Sequence, residues 1–113
     1  MLQLKTPYAA LEYEIAQEKA STLGWLGRRL EAALAALRSF DRAGDQLPVA
    51  SPQNRERRDL LVSEAGEALW YLMIQRDACG LYDSAAIISD YRVPPEVTNR
   101  VGPASSRVFK PAG

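Results

Sequence analysis

A chain of 113 residues, 47% hydrophobic and 25% charged, has the size and make-up of one soluble globular domain and is too apolar to stay unfolded. Fourteen basic residues balance fourteen acidic ones, so no overall field draws the chain to nucleic acid or to an anionic membrane. The absence of histidine excludes Ser-His and Cys-His nucleophile pairs and imidazole metal ligands, leaving carboxylates, Tyr, Lys and Arg as the available acid, base or metal-binding groups.

At the amino end, "MLQLKTPYAALEYE" has no uninterrupted apolar run of signal or membrane-spanning length, and a lone Cys79 rules out an internal disulfide framework. Both point to a cytoplasmic protein. Thr6 and Pro7 form a cap-then-proline start, and no proline follows until Pro48. Tyr8, Leu11, Ile15, Leu26, Leu30 and Leu37 fall on one arc of a helical wheel, joined by Thr22, Leu23, Ala33, Leu34 and Phe40. The reading is a long amphipathic helix over about 7–42, interrupted on its stripe by Glu12 and Lys19 and ended by Gly44.

Gly24 and Gly27 lie inside that helix, each at a cost of ~1 kcal/mol relative to alanine. A helix from Tyr8 to Phe40 would be ~50 Å long, whereas a compact domain of this size has a radius of gyration of ~13 Å. Either the helix breaks near Gly24, or it stays long and its protruding face is covered by another chain. Ala9, Ala16, Ala20 and Gly27 run beside the leucine stripe and favour close contact with a second helix.

"DRAGDQLPVASPQN" is a loop by composition, with Leu47 and Val49 as its anchors. Ser51-Pro52 repeats the capped start, and a second helix runs to Cys79, closed by Gly80. Its core stripe is Leu61, Ala65, Ala68, Leu72, Gln75 and Cys79. "LWYLMI" at 69–74 is apolar right round the cylinder, so the face bearing Gly66, Trp70, Met73 and Ile74 needs the C-terminal helices or a second subunit. Asp83 caps a short helix through "SAAIISDY", packing Ile87, Ile88 and Tyr91, and "RVPPEVTNRVG" holds a last turn or two opened by Pro95. Tyr82, Asp90 and Tyr91 are read as structural.

The expected fold is all-α: two long antiparallel helices over about 7–42 and 52–79, then one or two short C-terminal helices. A single helical domain covers 1–102, with 103–113 a flexible or draped tail anchored by Val108 and Phe109. The expected assembly is a homodimeric helical bundle, with Gly24, Gly27, Gly66, Trp70, Met73 and Ile74 as interface candidates. Residues 43–91 carry four Arg against eight acids, and 92–113 carry three Arg and a Lys against Glu96. This asymmetry is expected to pair within the molecule rather than bind nucleic acid. Arg28-Arg29 and Arg55, Arg57 and Arg58 are read as solvated helix ends.

Two resemblances bear on function. "LEYEIAQEKASTLGWLGRRLEAALAAL", "QRDACGL" and "ISDYRVPPEV" together resemble a family of short bacterial proteins classed as a domain of unknown function, which implies a small helical cytosolic protein and no particular activity. More locally, "SEAGEALWYLMIQRDACGL" is similar to the third helix of MazG-type nucleotide pyrophosphohydrolases, with Glu67 where that family has Asp. That likeness implies Mg²⁺ bound by Glu14, Glu18, Glu64 and Glu67. The primary expectation is a non-catalytic oligomeric or partner-binding protein without a cofactor, and the alternative is a Mg²⁺-dependent nucleoside triphosphate pyrophosphohydrolase.

Overall fold

The computed structural model describes residues 6–44 and 51–102. The anchors Leu47, Val49, Val108 and Phe109 and the tail over 103–113 lie outside the described residues. Four helices follow in chain order: α1 (Pro7–Gly44), α2 (Pro52–Ala78), α3 (Ser84–Asp90) and α4 (Pro95–Thr98). The all-α class and the long helical hairpin are as the periodicity predicts, and each long helix ends within two residues of its expected boundary.

The ends form where local chemistry satisfies the backbone. Thr6 Oγ1 accepts from the Ala9 amide at 3.0 Å, and Ser51 caps α2 by accepting from the Asn54 amide at 3.1 Å, each followed by a proline that needs no donor. At the far end of α2, Gly80 adopts φ +80°, and the Leu81 and Gly80 amides donate to the carbonyls of Arg76 and Asp77. Such a left-handed closure is easy for glycine, which has no Cβ.

The same closure recurs after α3 with a non-glycine residue. Arg92 takes φ 52°, and the Val93 and Arg92 amides donate to Ile88 and Ser89. Arg38 of α1 holds this turn, its Nη2 donating to the carbonyls of Tyr91 and Arg92 at 3.2 and 3.3 Å. Buried Val93 follows immediately, so the turn feeds an apolar side chain into the core.

α1 and α2 pack antiparallel around Leu26, Leu30, Leu34 and Leu37 from one side and Val62, Ala65, Leu69 and Leu72 from the other. Ile87, Val93 and Val97 close the core from the C-terminal segment, Val97 with no exposed surface. The buried face of α2 therefore includes Val62, Gly66 and Leu69 as well as the expected Ala65, Ala68 and Leu72, while Leu61, Gln75 and Cys79 are only half-buried. The short helices cause this difference, because α2 is covered by α4 as well as by α1.

Two ion pairs fix the hairpin register. Arg29 Nη2 lies 2.9 Å from Glu67 Oε1, and Arg58 Nε lies 2.8 Å from Asp41 Oδ1. Carried forward, this register sets Ala78 beside the turn of α1 around Ala20, so α1 extends about 20 Å beyond the end of α2. Every residue from Leu11 to Ser21 is exposed accordingly. The helix does not break at Gly24: it is continuous for 38 residues, and the molecule measures 65 × 35 × 22 Å with a radius of gyration of 18.5 Å. A compact chain of this length has ~13 Å.

Candidate functional site

The overhanging part of α1 keeps the apolar stripe that its buried half uses for the core. Tyr8, Leu11 and Ile15 are 70%, 53% and 45% exposed, although they stand on the arc that, further along, buries Leu26 and Leu37. Helical periodicity has continued the core-facing pattern beyond the point where α2 stops, so α2 offers these side chains no surface to pack on.

A second uncovered area lies on the flank of the hairpin away from the short helices. Trp25 is 58% exposed there. Arg29, one turn on, places its guanidinium 5.1 Å from the Tyr71 ring centre while bonding Glu67. Tyr71 is packed edge-on against Trp70 at 4.9 Å. On α2, Leu60, Tyr71 and Ile74 fall on one exposed arc, so both long helices present large apolar side chains on this flank. The arginine is at once an ion-pair partner of Glu67 and a cation stacked over the Tyr71 ring.

The six interface candidates are dispersed. Gly27 is buried under Tyr91 of the same chain: a Cβ built on Gly27 would stand 2.6 Å from Tyr91 Oη. The close approach read from this glycine therefore serves the contact with the end of α3. Gly24 is half-buried, with only its own Arg28 side chain within reach of a Cβ, at 3.3 Å. Gly66 is buried, Trp70 and Met73 are half-buried, and Ile74 is exposed. Sequence reasoning missed Trp25, Leu60 and Tyr71 because each stands off the leucine periodicity that was used to find contact faces.

The four carboxylates of the metal reading are not gathered into a site. Glu14 and Glu18 lie on the exposed overhang, Glu64 is exposed on α2, and Glu67 is held by Arg29. Among the described residues no three acidic or cysteine side chains come together as a metal cluster.

The clearest electrostatic feature is a clamp at the other end of the hairpin. Arg58 donates to both oxygens of Asp41 and, at 2.7 Å, to both of Glu96, tying α2 to α1 and α4. Hydrogen bonding to Arg58 holds both carboxyls below their ordinary range. Arg100 likewise joins Asp59 and Ser63. Arg100 of the basic C-terminal segment thus pairs with the acidic second helix inside the molecule, while Arg107 and Lys110 lie outside the described residues.

What these features define is an all-α protein, a long helical hairpin braced by two short helices, with uncovered apolar surface along α1. The chain belongs to the Family of unknown function (DUF6665), whose model matches residues 1–108. No curated protein and no solved structure matches the chain. No helix among the described residues is long and apolar enough to cross a membrane.

Proposed function

We propose that this protein is a non-catalytic, self-associating helical module that works as a homodimer. One observation carries the reading: α1 runs past the end of α2 with Tyr8, Leu11, Tyr13 and Ile15 between 45% and 70% exposed. Together with Trp25, Leu60, Tyr71 and Ile74, these side chains make up more apolar surface than scattered single residues would. Trp and Tyr are enriched at contacts between proteins because they offer large rigid area at low entropic cost.

Light scattering at micromolar concentration tests it. The expected mass is twice the 12.5 kDa of the chain, with no gain in melting temperature from millimolar Mg²⁺ and a nucleoside triphosphate. A monomeric mass throughout would overturn the reading. A thermal shift accompanied by released pyrophosphate would replace it with the hydrolase.

A further inference from the structure

Resting on that reading, we infer that the α1 helix of a second copy packs on the exposed flank of α1 that carries Leu11 and Trp25, antiparallel about a twofold axis near Leu23. Charge along α1 is the first argument. Residues 7–22 carry Glu12, Glu14 and Glu18 against Lys19, while residues 23–44 carry four arginines against Glu31 and Asp41. The two halves have opposite sign, so an antiparallel pair sets acidic against basic, whereas a parallel pair stacks like on like.

The second argument is the match of side chains on one face. Leu11, Glu14, Glu18, Trp25, Arg28 and Ala32 share an arc of roughly 100° and are all exposed. Turning α1 about Leu23 sets Glu18 level with Arg28, Glu14 with Ala32 and Trp25 with Ser21, each twice over. Bulky residues of one half meet small residues of the other, and no like charges on this face oppose each other. The hairpin register places Ile74 at the level of this midpoint, so Tyr71 and Ile74 of α2 join the contact at its centre. The shared face runs from Leu11 to Ala35, about 36 Å at 1.5 Å per residue. With the α2 side chains added, the area buried is on the order of 1,200 Å², the lower end of what stable interfaces bury.

Charge reversal tests the register. Glu18 and Arg28 are exposed, so Glu18→Arg and Arg28→Glu should leave the fold intact, as circular dichroism would verify. Each variant alone should self-associate about tenfold or more weakly than wild type, because both symmetry-related attractions become repulsions. Mixing the two variants in equal amounts restores opposite charges at both places, and the mixture should recover the wild-type dimer mass. A wild-type dimer that tolerates both reversals, or a mixture that fails to recover, would overturn this arrangement while leaving self-association standing. A monomeric wild type would overturn both.

Discussion

Gly27 shows how one missing methyl group organises a neighbour. In an exposed helix a Gly→Ala change gains ~1 kcal/mol, and Gly24, whose Cβ would meet only the mobile end of Arg28, should behave nearly so. At Gly27 the added Cβ would stand 2.6 Å from Tyr91 Oη and 3.7 Å from Cζ, so the clash is with the hydroxyl alone. Gly27→Ala should therefore lower stability by about 1 kcal/mol, the overpacking outweighing the propensity gain. In a Tyr91→Phe background the same change should be neutral or stabilising. Denaturant titration of the double-mutant cycle checks this, and additive effects would show that the glycine is not there for Tyr91.

The elements are joined by polar clamps that no periodicity reveals. Arg58 links α2 to Asp41 of α1 and Glu96 of α4, and all three side chains are at least a third exposed, which limits each pair to at most ~1 kcal/mol after solvent screening. Because Asp41 and Glu96 have folded pKa values below their ordinary 3.8 and 4.5, their contribution is fully present above those values and is lost as pH falls through the lowered ones. Arg58→Gln should thus destabilise the protein at neutral pH. The difference from wild type should shrink as pH falls through the lowered carboxyl values, as urea unfolding across pH would show. A difference that does not change with pH would assign Arg58 a packing role.

Helix starts were legible because caps are local chemistry: Thr6-Pro7, Ser51-Pro52 and Asp83 each mark an observed first turn, and Gly80 an observed last one. The turn at Arg92 was not, since a left-handed arginine carries no sequence signal and is held by Arg38, 54 positions away. The tilt of the α2 core toward Val62 and Leu69 was hidden for a similar reason, because it depends on where α4 docks. Of the candidate surface, the stripe at Tyr8, Leu11 and Ile15 was readable as apolar, but only the length of α2 decides that it goes uncovered. Trp25 and Tyr71 emerge only once the hairpin register is known.

For the whole molecule, the mismatch between a 38-residue helix and a 27-residue partner governs everything else. The pair cannot be flush, and the overhang is an amphipathic helix whose apolar residues Tyr8, Leu11 and Ile15 are exposed. Isolated helices of about this length are marginal in water, so the proposed second copy would stabilise the first turns of α1. Amide hydrogen exchange along Tyr8–Thr22, followed at about 100 µM protein, tests this dependence most directly. A covering second copy predicts protection approaching that of the buried turns around Leu30 and Leu34, lost on dilution and, in Glu18→Arg, lost at a higher concentration than in wild type. Exchange as fast as in an unfolded chain at that concentration would contradict it.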